Sequence, residues 1–255
     1  MKKTLLTIAV LALLGMGAVQ AQKTTHFSLR LGGNIPTGKF AEASGDYSSG
    51  NPLNWGLEDK SKKGGAGLGF MLGGQLKFDI PTVKGLGVIA SVDGIYNTLN
   101  SDVKGYYDDM EDDLDGTTME FSVKLPRYIN IPIMVGLGYT YSPTHNLGLF
   151  AEGAIGLNVR VITNGEQMRY VVATNTETIT TSNYNTAATF GVRVGGGIVL
   201  NNKFTIGLDY FNLGTAKAEG ETVTEINGTE QSNPPKLKAG KITPTMVALR
   251  FGINL

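Results

Sequence analysis

Cysteine is absent from this sequence of 255 residues, which excludes disulfides, thiolate metal sites, cysteine nucleophiles and a lipidated N-terminal cysteine. Histidine occurs only twice, as His26 and His145, and tryptophan once. Net charge is also missing, with 22 Lys+Arg against 22 Asp+Glu. A nucleic-acid binder would carry a basic face, so no nucleic-acid partner is expected. Charged residues make up only 17% and hydrophobic ones 41%, a composition unlike that of disordered chains. After the N-terminus, no stretch approaches the ~18 consecutive apolar residues of a membrane helix. Glycine is what the chain has in excess, at 35 residues, nearly double the ~7% typical of proteins. Spread without a fixed period, it suits short strands, tight turns and close backbone approach better than helices.

The first residues, MKKTLLTIAVLALLGMGAVQA, read as a signal peptide over 1–21. Lys2 and Lys3 form a positive start, Leu5–Leu14 an uncharged apolar stretch, and Val19 and Ala21 the small residues before a cleavage site. The apolar run is shorter than the ~20 residues needed to span a bilayer, which argues against an anchor. Cleavage leaves a mature domain over 22–255, with 20 basic against 22 acidic residues once Lys2 and Lys3 are removed from the 22 of each sign. The protein is therefore expected to leave the cytoplasm, as a soluble exported protein or a membrane β-barrel.

Alternation separates these. In 67–80, Leu68, Phe70, Leu72, Leu76, Phe78 and Ile80 share one face, while Gln75, Lys77, Asp79 and several glycines lie on the other. Successive side chains of a strand point to opposite faces, so this is a strand with one apolar and one polar side. Segments 147–161, 188–200 and 245–255 repeat the pattern, and 24–33, 86–97, 119–140 and 203–214 follow it less cleanly. Pro126 and Pro132 fall within 119–140, and proline donates no ladder hydrogen bond, so irregular pairing is expected there. The total is eight, an even number, as single-chain bacterial barrels require.

Short links near 81–85, 141–146 and 201–202 alternate with long ones near 34–64, 98–117, 163–186 and 215–241. Short turns on one rim and long loops on the other are the outer-membrane arrangement, with the turns in the periplasm and the loops outside. Asn227-Gly228 is a type I′ hairpin signal and 163–186 alternates, so these two loops are expected to rise as hairpins above the membrane. A soluble lipocalin-like barrel would turn its apolar face inward. Outward-facing apolar residues are favoured by charges at similar depth on the polar face. They are favoured also by aromatics at the ends of the apolar face, including Tyr96, Tyr139, Phe204 and Tyr210, and by the loop asymmetry. The expected fold is all-β: an eight-stranded antiparallel up-and-down transmembrane β-barrel with short periplasmic turns and long extracellular loops.

The segment Arg127-Tyr-Ile-Asn-Ile-Pro-Ile-Met-Val135 resembles a strand of the outer-membrane β-barrel domain (porin-like) family of Bacteroidetes-type bacteria. Leu149-Phe-Ala-Glu-Gly153, Phe190-Gly-Val-Arg-Val-Gly-Gly-Gly197 and Leu208-Asp-Tyr-Phe-Asn-Leu-Gly214 resemble its following strands. The family is similar to OmpA/OmpX-type eight-stranded barrels. The resemblance implies a bacterial outer-membrane location, a setting of outer-membrane lipids and lipopolysaccharide, and a last strand read by the outer-membrane assembly machinery. That strand ends here in Leu255 in place of the usual terminal aromatic, with Phe251 four residues earlier.

Catalytic signals are sparse. His26 starts the first strand and His145 sits in a short turn, whereas a hydrolase acting on the outer leaflet would need a histidine near the long loops. Gly85-Leu-Gly87-Val-Ile-Ala90 matches a dinucleotide fingerprint, but a strand follows it, so no helix N-terminus cradles a phosphate. Loop 98–117 gathers Asp102, Asp108, Asp109, Glu111, Asp112, Asp113 and Asp115. With Glu111, Asp113, Asp115 and Gly116 at positions 1, 3, 5 and 6 of a calcium loop, Ser122 replaces the bidentate Glu at position 12. The acidic loop reads as a solvated segment, open to loose divalent association. No cofactor, metal or catalytic residue is assigned.

The polar face does carry a pattern. Arg30, Asp93, Glu152, Arg193, Asp209 and Arg250 point inward at similar depth on six strands, three cations against three anions. The strand order is expected to set Arg193 between Glu152 and Asp209, and Asp209 between Arg193 and Arg250. An eight-stranded barrel is only wide enough for side chains to fill its interior, and arginine's fork satisfies more buried groups than lysine could. The expected function is a non-catalytic, monomeric outer-membrane barrel with a charge-filled lumen, a structural or surface-interaction role, and an extracellular ligand of unknown identity for its loops. The alternatives are a narrow porin-like channel for small solutes and, less favoured, an outer-membrane lipid-modifying enzyme.

Overall fold

A computed structural model describes residues 25–43, 63–114, 116, 118–144, 146–231, 236–237 and 240–255. The signal peptide over 1–21, most of the loop near 34–64, Asp115 and His145 lie outside the described residues.

Eight antiparallel strands close into a barrel. They are β1 (Thr25–Pro36), β2 (Ala66–Asp79), β3 (Leu86–Leu99), β5 (Tyr128–Tyr141), β6 (Leu147–Ile162), β9 (Ala187–Leu200), β10 (Phe204–Asn212) and β16 (Thr245–Asn254). Each pairs with its neighbour in the chain order of these eight, and β1 closes on β16 from Ser28↔Asn254 to Pro36↔Met246. Closure leaves no open sheet edge, the condition for β-structure in a bilayer. The outer surface is the apolar stripe of each strand, with Leu72 62%, Val192 41% and Leu249 45% exposed. Phe70 stacks on Tyr96 with ring centroids 5.1 Å apart, and Arg127 lies over Tyr96 at 5.8 Å. The turn at Asn201-Asn202 has positive φ at both residues (52° and 54°), the type I′ geometry whose twist matches a two-residue hairpin.

The segment expected as one strand over 119–140 is two. Leu125-Pro126-Arg127 breaks it into β4 (Met119–Lys124) and β5, and β4 leaves the barrel altogether. Pro132 stays within β5, and there the β3 ladder skips from Val92↔Ile133 to Ile95↔Asn130, the irregular pairing that a missing N–H imposes. Above the barrel, β4 edges a six-stranded sheet. Its other strands are β7 (Gly165–Val171), β8 (Thr176–Tyr184), β12 (Gly220–Ile226), β13 (Thr229–Glu230) and β14 (Lys236–Leu237). The order is β13-β12-β8-β7-β4, with β14 also on β12. Loops 163–186 and 215–241 thus do rise as hairpins, and Asn227 and Gly228 (φ 48° and 75°) make the type I′ turn between β12 and β13. A short ribbon of β11 (Ala216–Lys217) and β15 (Lys241–Ile242) lies between barrel and sheet.

The acidic loop is a helix, α1 (Ser101–Leu114). Asn100 caps it, its Oδ1 accepting from the Val103 N–H at 2.9 Å, which satisfies one of the unpaired donors of the first turn. Val103, Tyr107 and Met110 fall at helical spacing and pack into the cap of the barrel, leaving the aspartates on the outer side. The helix replaces the loop geometry a calcium site would need.

Candidate functional site

The barrel interior is layered from turn rim to loop rim. At the turn rim is a vestibule of about 600 Å³, lined by His26, Lys77, Asp79, Lys84, Phe150 and Val199 near its mouth and by Arg30, Gln75, Glu152 and Arg250 at its floor.

The floor is a chain of six charges of alternating sign. Asp209 meets Arg250 (Oδ2 to Nε, 3.2 Å), and Arg250 donates from Nη1 to Glu152 Oε2 at 3.2 Å. Arg193 donates from Nη2 to the same oxygen at 3.2 Å and approaches Asp93 Oδ2 at 3.8 Å through Nη1. Arg30 donates from Nη2 to both Asp93 oxygens, at 2.6 and 2.8 Å. All six residues named from the sequence therefore meet in one network, each 2% exposed or less except Glu152 at 10% in its side chain. The Arg193–Asp209 contact expected from strand order is not among the ion pairs. On β10, Arg193 faces Phe211, while Asp209 lies opposite Gly195, its Oδ1 in the space a Gly195 Cβ would take. Arg193 reaches across the lumen to Asp93 instead, since an eight-stranded interior is as narrow as one long side chain.

Glycine makes one of these contacts possible. Arg30 on β1 and Asp93 on β3 are separated by β2, where both register on Gly73. A Cβ there would sit 2.1 Å from Asp93 Oδ1, so only a bare backbone lets the two side chains meet over the intervening strand.

Sequence reasoning missed three parts of the interior. Gln75 is the hub of the network: its Oε1 accepts from Arg30 Nη1 (2.6 Å) and Arg193 Nη2 (2.9 Å), and its Nε2 donates to Glu152 Oε1 (2.7 Å). It stood on the polar face of 67–80, but being uncharged it left no signal in a count of charges. Above the network, Met71, Ile95, Met134, Phe211 and Met246 form an apolar layer, each 1% exposed or less. These residues point inward against the alternation that marks the outer face. Higher still lie Asn34, Asn97, Asn130 and Asn158, all buried, with Asn97 donating to Asn34 and Asn158 to Asn130. The loop rim is closed by Phe40, Leu99, Val103, Tyr107, Tyr128, Ile162 and Ile242, with Tyr184 packed against them. Burial pushes the Tyr184 phenol well above its ordinary range. Arg160, 2% exposed, donates to the carbonyls of Ile242 (3.0 Å), Ala216 (3.2 Å) and Lys217 (3.0 Å), fastening the β11–β15 ribbon across the barrel mouth.

His26 bonds Asp79 at 2.9 Å at the turn rim, the far end from the loops. Among the described residues, no three His, Cys, Asp or Glu side chains gather as a metal site.

The model of the outer membrane protein beta-barrel domain matches residues 7–239. No curated protein sequence matches the chain significantly. Among solved structures, the chain is similar to the outer membrane protein OprG of Pseudomonas aeruginosa, at 13% identity and TM-score 0.42, covering 93% of this chain and 99% of that one. It is similar to a major outer membrane protein of Thermus thermophilus, at 13% identity and TM-score 0.40, covering 91% and 99%. It is similar also to Ail, the attachment invasion locus protein of Yersinia pestis, at 10% identity and TM-score 0.35, covering 92% and 100%.

Proposed function

This chain belongs to the outer membrane protein beta-barrel domain family, and on that premise we propose that it is a non-catalytic surface-interaction barrel of the bacterial outer membrane with a closed lumen. The observation that carries the proposal is the filled interior: a neutral chain of six buried charges, an apolar layer directly above it, and a loop rim fastened by Arg160. A conduit would keep a continuous polar lining. Here the polar vestibule ends on the charge chain, and buried methionine, isoleucine and phenylalanine side chains interrupt the polar lining beyond it.

What stands free is the six-stranded sheet above the loop rim. One of its faces carries Glu120, Glu166, Glu177 and Glu225 with Met168, Tyr170, Ile179 and Val223 between them, as the pairing Ser122↔Met168↔Ile179↔Glu225 fixes. We assign this platform to the cell exterior and the turn rim to the periplasm, because β1 begins and β16 ends at the turn rim and residues 1–21 read as an export signal. The barrel is monomeric in this reading, with outer-membrane lipids and lipopolysaccharide as its surroundings.

Single-channel recording of the refolded protein in planar bilayers tests it. The wild type is expected to pass no steady current. Arg193→Ala removes the cation between Glu152 and Asp93 and leaves the buried layer one negative charge in excess, with a cost of at most roughly 3–5 kcal/mol as for a broken buried pair, yet it should stay closed because the apolar layer remains. The vestibule favours the second reading, a narrow channel. A steady, ion-selective wild-type current whose selectivity shifts in Arg193→Ala would replace the closed barrel with that channel.

A further inference from the structure

The vestibule below the charge chain has the size and chemistry of a binding pocket. Its volume of about 600 Å³ lies within the ~300–1,000 Å³ range of small-molecule sites. Its wall is not neutral, although the charge chain that closes it is. Asp93, Arg193 and Asp209 belong to the chain but do not line the cavity, whereas Arg30, Arg250 and Glu152 do. With Lys77, Lys84 and Asp79 nearer the mouth, four cations face two carboxylates, and His26 at the rim is bonded to one of these, Asp79. Low-dielectric walls around an excess of one sign focus the field and concentrate counter-ions. Arg30, 2% exposed, also keeps an Nε–H with no hydrogen-bond acceptor among the described residues, a buried donor of the kind native interiors usually satisfy. Phe150 and Val199 supply an apolar patch beside the cations, with the Arg250 guanidinium 5.0 Å from the Phe150 ring centroid.

We propose that this vestibule is a blind binding site for a small organic anion, a phosphate- or carboxylate-bearing molecule with an apolar end, entering from the turn rim. The anionic group lies among Lys77, Arg30 and Arg250, and the apolar end lies on Phe150 and Val199. The site takes its closed floor from the sealed lumen but does not depend on the role of the loops. Phosphate could arrive on a soluble molecule or on a phospholipid headgroup. The mouth opens along the barrel axis, which favours the soluble form.

Isothermal titration of the full barrel in nanodiscs tests this, with phenyl phosphate as the probe and benzyl alcohol and phenyltrimethylammonium as neutral and cationic controls. Phenyl phosphate should bind saturably in zwitterionic discs and the controls should not. Lys77→Gln, which keeps a donor for the Gly85 and Thr140 oxygens that Lys77 now holds, should weaken binding roughly tenfold or more, as expected for loss of one charge-assisted contact. Should that variant not fold, Lys84→Gln at the exposed mouth gives the same readout. Binding that survives in discs containing phosphatidylglycerol identifies the soluble anion, and binding abolished there identifies the lipid headgroup in the same site. No saturable binding, equal affinity for benzyl alcohol, or indifference to both lysine substitutions overturns the site. A wild-type current in bilayers would sink the closed lumen and leave this titration to be judged on its own result.

Discussion

Gly73 holds more of the interior together than its size suggests. Arg30 and Asp93 come from strands that are not neighbours, and the contact between them passes over a position with no side chain. The same device recurs at Gly195, where the absent Cβ leaves room for Asp209. Gly73→Val is therefore expected to displace the Asp93 carboxylate and strand Arg30. Forcing bulk into a packed interior typically costs about 1–3 kcal/mol, and the unpaired guanidinium adds to it. Gly94, whose added Cβ would only reach ordinary contact with the Leu72 carbonyl at 3.7 Å, provides the control in Gly94→Ala. Urea unfolding from lipid vesicles should separate the two clearly. Equal stability of both variants would show that the Arg30–Asp93 pair contributes nothing.

At the scale of elements, what the sequence revealed depended on which rule each segment obeys. Segment 67–80 alternates without interruption and is β2 to within a residue at each end. Segment 119–140 also alternates, through Phe121, Val123, Ile129 and Ile131, yet Pro126 divides it between two sheets. A period of two marks a strand but not the sheet it joins. Helix α1 escaped notice because six of its fourteen residues are acidic, which hid the helical spacing of Val103, Tyr107 and Met110. The charge chain was legible because its six members stand at similar depth on the polar face of six strands. Gln75 and the inward methionines were not, since an uncharged side chain on the polar face carries no sign. The outer stripe gives a direct test of the barrel's orientation to lipid. Arg in place of Leu72, Val192 or Leu249 should cost roughly 2–4 kcal/mol near the bilayer midplane, read as loss of folding into vesicles. If all three variants insert as well as the wild type, these exposed faces do not meet lipid.

For the whole molecule, the layered interior says how far water travels from each rim, and the absence of cysteine makes that measurable with single-cysteine variants and no background. Below the charge chain, Ser28 and Thr205 line the vestibule. Above it, Ile95, Phe211 and Met246 are buried in the apolar layer. Val172 stands exposed at the end of the β7 hairpin beyond the loop rim. In proteoliposomes and in intact cells, a membrane-impermeant thiol reagent should therefore find three different answers. Val172→Cys should react from outside intact cells, fixing the loop rim as extracellular. Ser28→Cys and Thr205→Cys should react only when the reagent reaches the turn rim. Ile95→Cys, Phe211→Cys and Met246→Cys should stay unmodified from both sides until the protein is unfolded, because these positions are 1% exposed or less and close-packed apolar interiors hold few voids as large as a water molecule. The charge chain is the weaker barrier, for several of its donors and both Asp209 oxygens lack hydrogen-bond partners among the described residues, and Arg30, Glu152 and Arg250 line the open vestibule. The apolar layer is then the seal and the ionic layer its wet floor. Reaction of Phe211→Cys and Met246→Cys at the rate of Thr205→Cys would instead mean a continuous aqueous path, and reaction of Val172→Cys only after the cells are opened would mean that the barrel is inserted the other way up.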